Sequence, residues 1–165
     1  MATIALKGNP IQTNGELPVK GEKAKDFTLA KNDLSRVSMN DFTGNKLILN
    51  IFPSLDTGIC AASVRQFNKI AGEIENTKVL CISRDLPFAQ SRFCGAEGLN
   101  NVITLSDYAD GSFGKNYGLE IVNGPMAGLH SRVVIIVDEN GLIKYTQQVP
   151  EITTEPNYDD VLKHL

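Results

Sequence analysis

The stretch KLILNIFPSLDTGICAASVRQFNKIAGEIENTKVLCIS, residues 46 to 83, decides the reading of this chain. Lys46 to Phe52 is an apolar run of strand length, and it ends at Pro53, which cannot extend a hydrogen-bonded ladder. From Thr57 the apolar spacing becomes helical and continues to about Ala71, beside Gly72. A second apolar run then follows from Lys78 to Ser83. Strand, helix and strand at this spacing form a βαβ unit, with parallel strands and a right-handed crossover. Such a unit has no structural need for the proline, aspartate, threonine and cysteine of PSLDTGIC, residues 53–60, where the first strand hands over to the helix.

On the N-terminal side, Thr3 to Lys7 and Ile11 to Thr13 flank Gly8-Asn9-Pro10 as a hairpin, and Phe27 to Ala30 reads as another short strand. Residues 1–40 therefore look like a β appendage. On the C-terminal side, Pro87 at a first helical turn and Gly95 just past Cys94 bracket a short helix, followed by a weak strand at Val102 to Leu105. Arg132 to Asp138 and Leu142 to Val149 flank Glu139-Asn140-Gly141, a strong hairpin signal, and Asn157 to Leu165 reads as a closing helix. The expected fold is α/β and thioredoxin-like: a mixed central sheet flanked by helices, with an N-terminal β-hairpin. No repeat, low-complexity tract or linker interrupts the chain, so residues 1–165 are expected to form a single domain.

The composition, 42% hydrophobic and 21% charged, is that of an ordinary globular chain. A net charge of −3 with no basic block argues against nucleic acid as a partner. No apolar run is long enough to span a bilayer, and Met1 to Lys7 lacks the form of a secretory signal, so the expected location is the cytoplasm, away from membranes. Three cysteines are an odd number for a disulfide framework. In a reducing compartment they are buried packing residues or reactive thiols. Neither the cysteines nor His130 and His164 have metal-ligand spacing.

Parallel α/β sheets place their sites beyond the carboxyl ends of the strands, where PSLDTGIC lies. With Thr57 as N-cap, Cys60 takes the third helical position, where the helix dipole and the free N–H groups favour a thiolate. Pro53 would screen the site from water. A lone cysteine near a helix start is more often a small packing residue, but the threonine three positions earlier and the preceding strand favour the chemical reading. Ser63 occupies the position where a dithiol oxidoreductase carries its second cysteine, so no local C-x-x-C disulfide can form. Cys81 lies in an apolar strand, where burial raises a thiol pKa, and is assigned to the core. Cys94 is either a half-buried helix-end residue or an accessible thiol.

The motif Pro53-x-x-x-Thr57-x-x-Cys60 resembles the peroxiredoxin active-site motif. The longer strings NIFPSLDTGIC, DLPFAQSRFCGAEGL, SRVVIIVDENG and EITTEPNYDD resemble the bacterial thiol peroxidase branch of atypical two-cysteine peroxiredoxins, over nearly the whole chain. The resemblance implies a thioredoxin-dependent hydroperoxide reductase that serves antioxidant defence. In it, Cys60 is the peroxidatic cysteine, Thr57 and Pro53 are its motif partners, and Cys94 is the resolving cysteine, forming an intramolecular Cys60–Cys94 disulfide. Arg132 matches the family's active-site arginine, although Arg65, Arg84 and Arg92 are rivals on sequence alone. The resemblance further implies a homodimer, thioredoxin as reductant, and no metal or bound cofactor. His130-Ser131 stand where many relatives have small residues, which would alter the pocket rim.

Two other readings keep the fold. One is a monothiol glutathione-disulfide exchanger using C-x-x-S; the other is a redox sensor that passes its Cys60–Cys94 state to a partner. Phe52, Leu55 and Ile59 hint at an apolar rim for organic hydroperoxides, or belong to the core.

Overall fold

Near-continuous apolar runs such as those of residues 46–51 and 133–137 are buried on both faces and need a layer on each side, and the sheet is built accordingly. The computed structural model describes residues 1–165. The first half contains β1 (Thr3–Leu6), β2 (Asn9–Gln12), β3 (Thr28–Ala30), β4 (Arg36–Ser38), one 3₁₀ turn (Met39–Phe42), β5 (Lys46–Ile51) and α1 (Gly58–Ala71). The second contains β6 (Thr77–Ser83), α2 (Pro87–Glu97), β7 (Val102–Ser106), α3 (Ser112–Asn116), β8 (Val133–Val137), β9 (Ile143–Gln148) and α4 (Tyr158–Lys163). Seven strands form one sheet in the order β4-β3-β7-β6-β5-β8-β9, while β1 and β2 pair separately. The expected parallel pairing of β5 with β6 is present, and β7 extends it in parallel; the other neighbours are antiparallel.

Alternation sorts the core onto the two faces. Leu47, Leu49 and Ile51 of β5 join Val133, Ile135 and Val137 of β8 on the side of α3 and the segment carrying Phe27 and Phe42. Ile48, Val134 and Ile136 point the other way, into a core shared with Val64, Phe67 and Ile70 of α1 and Val161 of α4. Each such fully buried side chain contributes about 1.5–3 kcal/mol, so α1 is firmly seated. No helix is long and apolar enough to cross a membrane.

The first hairpin turns at Lys7-Gly8 instead of Gly8-Asn9-Pro10. A two-residue turn with strand-compatible twist needs positive φ at both central positions, and Lys7 and Gly8 have φ of 50° and 80°. The left-handed Lys7 costs about 1–2 kcal/mol, offset by the Glu151 carboxylate, which accepts from the N–H groups of Lys7 at 3.2 Å and Gly8 at 2.8 Å. Pro10 then falls within β2, on an edge where no ladder donor is missed.

The resolving-helix candidate also ends later than expected. Gly95 lies inside α2; Gly98, left-handed at φ 65°, stops the helix and donates its N–H to Cys94 O. Cys94 therefore sits within the last turns and not at the end. Neither β4 nor α3 was expected, because three- and five-residue elements carry too few positions to show a period.

Candidate active site

Strand β5 delivers Phe52 and Pro53, both buried, to a tight loop that leads into α1. Thr57 caps the helix in extended conformation: its Oγ1 accepts from the Cys60 N–H at 3.3 Å and donates to Ser54 O at 3.1 Å. In this state the hydroxyl is engaged on both sides. Cys60 is the third residue of α1 and is 0% exposed.

Antiparallel pairing of β8 beside β5, with Ile51 opposite Val133, brings Arg132 out of the sheet next to this loop. The guanidinium, 2% exposed, places Nη2 at 3.3 Å from Cys60 Sγ and 2.9 Å from Ile152 O, with Nε at 3.1 Å from the same carbonyl. Nη1 is buried and has no protein partner. A guanidinium about 4 Å from a thiolate is worth up to about 4 kcal/mol at an effective dielectric of 20. The N-terminus of α1 lies on the same sulfur, so a charged donor and a helix start converge on Cys60 Sγ.

A cleft of about 220 Å³ opens beside the pair, lined by Leu6, Pro53, Ile59, Met126, Arg132 and Ile152 among others. Its exposed wall surface is mainly apolar, and the charged residues in its lining are Arg132, which is buried, and Lys7 of the N-terminal hairpin, which is exposed. Of the three residues considered for an apolar rim, Ile59 lines the cleft, whereas Phe52 and Leu55 belong to the core. His130 and Ser131 do not form the rim: both are buried, His130 with Nε2 at 2.8 Å from Asp107 Oδ2 and Ser131 accepting from Gln148 Nε2 at 2.9 Å. The cleft reaches the N-terminal hairpin through Leu6. That hairpin is fastened to the strip holding Arg132, because Ala5 bonds Pro150 O at 2.7 Å and Ile152 bonds Ala5 O at 2.9 Å. The appendage thus supports the Ile152 carbonyl that orients the guanidinium.

The other thiols stand apart. Cys81 is fully buried in β6, where desolvation pushes its thiol up to about 12, against a small opposing effect of the Asn50 amide at 3.7 Å. Cys94 is half-buried on α2; burial raises its pKa, with a smaller opposing effect from the neighbouring Thr104. All three cysteines are free thiols. With a rise of 1.5 Å per residue, Cys60 lies about 3 Å and Cys94 about 10 Å below the starts of their helices. The two thiols stand on separate helices and are not bonded to each other, and a disulfide needs Cα atoms within about 7 Å.

Ser63 is fully buried; its Oγ donates to Cys60 O at 2.8 Å. It faces inward, which leaves a C-x-x-S exchange site no accessible second position. Of the rival arginines, Arg65 pairs with Glu97 at 2.8 Å and Arg84 donates to Gly128 O at 3.1 Å, while Arg92 is exposed. No group of His, Cys, Asp and Glu is arranged to hold a metal ion. Sequence reasoning missed the Ile152 carbonyl, which as a backbone group leaves no signal. It also missed Asp85, whose only trace is its place just before the α2 start.

The redoxin family model matches residues 19–162. A thiol peroxidase of Corynebacterium glutamicum is 52% identical over 165 residues, covering 100% of this chain and 99% of its own. Among solved structures, a peroxiredoxin-like protein from Aquifex aeolicus superposes with a TM-score of 0.93 at 37% identity, covering 99% of this chain and 95% of its own. A thiol peroxidase from Chromobacterium violaceum, at 20% identity, shares the fold with a TM-score of 0.91 over 99% of this chain and 95% of its own. The thioredoxin-like architecture expected from the order of elements is the one these structures share. With a family model across most of its length and a full-length relative at 52% identity, the chain belongs to the redoxin family, as a peroxiredoxin of the thiol peroxidase branch that reduces peroxides with a cysteine thiol.

Proposed function

We propose that Cys60 is the peroxidatic cysteine and Cys94 the resolving cysteine of this peroxidase, working within one domain of residues 1–165. The first step is ROOH + Cys60-SH → ROH + Cys60-SOH, with the Cys60 sulfur oxidised and the O–O bond broken. Cys94-SH then condenses with the sulfenic acid, forming the S–S bond and releasing water. A dithiol reductant restores both thiols. Thioredoxin is the proposed reductant, the assembly a cytoplasmic homodimer, and the role antioxidant defence, all supported by the family's usual behaviour.

The observation that carries this reading is the Arg132 guanidinium on Cys60 Sγ at 3.3 Å with Nη1 unpartnered beside an apolar cleft. Thiolate formation alone is too small an effect. An ordinary thiol of pKa about 8.5 is roughly 3% ionised at pH 7, so full ionisation gains at most about thirtyfold. A Brønsted slope of about 0.4–0.5 returns about tenfold of that in lost nucleophilicity when a pKa falls by ~2.5 units. The remaining rate must come from donors that meet charge developing on the peroxide oxygens. Arg132 Nη1 supports that role, and Thr57 serves by holding the first turn and, on rotation of its hydroxyl, as a second donor. Pro53 closes the cleft against water. The apolar walls support organic hydroperoxides as well as hydrogen peroxide.

The test is consumption of hydrogen peroxide and of a bulky organic hydroperoxide, each with thioredoxin or glutathione as reductant. Sustained turnover with thioredoxin is the expected result. Turnover with glutathione alone would replace the two-cysteine reading with monothiol exchange, and a single equivalent consumed by the wild type would favour a sensor.

A further inference from the structure

The loop that sets Cys60 in place is held from outside by one carboxylate. Asp85 lies between β6 and α2, immediately before the Leu86 N-cap of the helix that carries Cys94. Its Oδ1 accepts from Ser54 Oγ at 2.7 Å, and its Oδ2 accepts from the Leu55 N–H at 2.8 Å and from Ser83 Oγ at 2.6 Å. Asp85 is partly buried and none of the ion pairs involves it, so hydrogen-bond donors alone satisfy its charge. Two of the three donors come from the peroxidatic loop. Ser54 passes the constraint on: its Oγ accepts from Asp56 N at 3.1 Å, and its carbonyl accepts from Thr57 N at 3.2 Å and Thr57 Oγ1 at 3.1 Å. Thr57 Oγ1 in turn holds the Cys60 N–H.

The other end of the carboxylate is anchored in the sheet and in α2. Ser83 Oγ accepts from Gln90 Nε2 at 3.2 Å, and the same amide nitrogen reaches Leu105 O at 2.9 Å; Gln90 is one of two buried residues of α2. Ser106 Oγ donates to the Asp85 carbonyl. A rigid post at the root of the Cys94 helix thus grips the loop that begins the Cys60 helix.

We propose that Asp85 is a positioning residue that holds the peroxidatic turn in its attack geometry and stabilises the dithiol form of the enzyme over the Cys60–Cys94 disulfide form. This rests on the two-cysteine reading above. The disulfide requires Cys60 to leave the first turn of α1 or α2 to open. Departure of Cys60 from that turn, or an opening of α2 that extends to its root, draws the 54–57 loop away from Asp85 and breaks the Asp85 bonds. The contacts therefore belong to one redox state and bias the equilibrium between the two.

The experiment is equilibration of wild type, Asp85→Asn and Ser54→Ala with dithiothreitol redox buffers. The fraction of disulfide is read by alkylation and mass shift, alongside single-turnover rates of Cys60 oxidation by peroxide. Asp85→Asn is expected to slow Cys60 oxidation tenfold or more and to favour the disulfide about tenfold, a potential about 30 mV more negative for this two-electron couple. Ser54→Ala, which keeps the carboxylate, should move both quantities in the same direction by about threefold, and it carries the test if Asp85→Asn does not fold. A merely structural role would lower the melting temperature of both redox forms equally and leave the potential unchanged. A folded variant with wild-type potential overturns the proposal. Peptide mapping separates the two failures: absence of a Cys60–Cys94 disulfide in oxidised wild type sinks the two-cysteine reading itself, and this inference with it.

Discussion

The helices that carry Cys60 and Cys94 are seated in different ways. Along α1, Cys60, Ala61, Ser63, Val64, Phe67 and Ile70 are buried, and the helix is capped by Thr57. Along α2, only Pro87 and Gln90 are buried, and Phe88 stands 65% exposed. At about 1.5–3 kcal/mol for each large apolar side chain, undocking α1 costs several kcal/mol that α2 does not oppose. What α2 has instead is a clamp at its far end: Arg65 of α1 makes a bidentate pair with Glu97 and lies 5.9 Å from the Phe93 ring. One cysteine is built for a fixed geometry, the other for movement. The motion that would join them in the proposed disulfide therefore belongs to α2 and the first turn of α1, with the body of α1 remaining in place.

The sharpest way to break this comparison is to exchange the roles of the thiols. Cys60→Ser is expected to abolish peroxide turnover in a thioredoxin-coupled assay, whereas Cys81→Ser retains most of it. The reverse result would transfer the chemistry to the core thiol. Wild-type Cys81, pushed up to about 12 by burial, should also escape alkylation at pH 8 until the protein is unfolded. Cys94→Ser is expected to reduce one equivalent of peroxide and then stall with thioredoxin, measured as single-turnover stoichiometry. Sustained turnover would leave Cys60 working alone.

Arg132→Lys keeps the charge but loses the fork that holds Ile152 O and Cys60 Sγ together. By analogy with removing one transition-state donor, kcat/KM for peroxide should fall on the order of 10²-fold. An ordinary value would show that point charge suffices. Hydrogen exchange on the disulfide form should then show amide protection falling tenfold or more over residues 87–97 while residues 64–71 hold theirs. Equal loss in both segments would erase the contrast between the helices.

The smallest effect concerns the hairpin behind Arg132. Hydrogen bonds from Thr153, Gly8 and Lys7 hold the Glu151 carboxyl down to about 2. A pKa depressed by folding means that these bonds contribute above the unfolded value of about 4.3 and are lost as pH falls through about 2. Glu151→Gln should lower activity only a few-fold at pH 7. Its stability deficit against wild type, followed by denaturant melts, should shrink between pH 5 and pH 2. A deficit that does not change with pH would mean that the carboxylate charge plays no part.

Much of this molecule is written in local spacing. The change from strand to helical period across residues 46–83 sets the βαβ unit, Thr57 caps α1 with Cys60 at the third position, and Ser63 excludes a neighbouring dithiol. Glu139-Asn140-Gly141 marks the β8–β9 hairpin, with Gly141 at φ 82°. These features are legible because caps, turns and periodicity act between residues a few positions apart. The first hairpin's turn at Lys7-Gly8 is not, since it depends on a carboxylate from residue 151. The run of α2 through Gly95 to Gly98 is not either, because a helix interior tolerates glycine at about 1 kcal/mol and the left-handed stop can fall at either one. Four arginines were candidates for the thiol. Arg132 stands beside it because β8 pairs antiparallel with β5 in a register that sets Val133 opposite Ile51, a ladder between segments far apart in the chain. Asp85 reaches Ser54 because β6 lies alongside β5. Both choices are made by long-range hydrogen bonding and two-sided burial, which no short stretch of sequence contains.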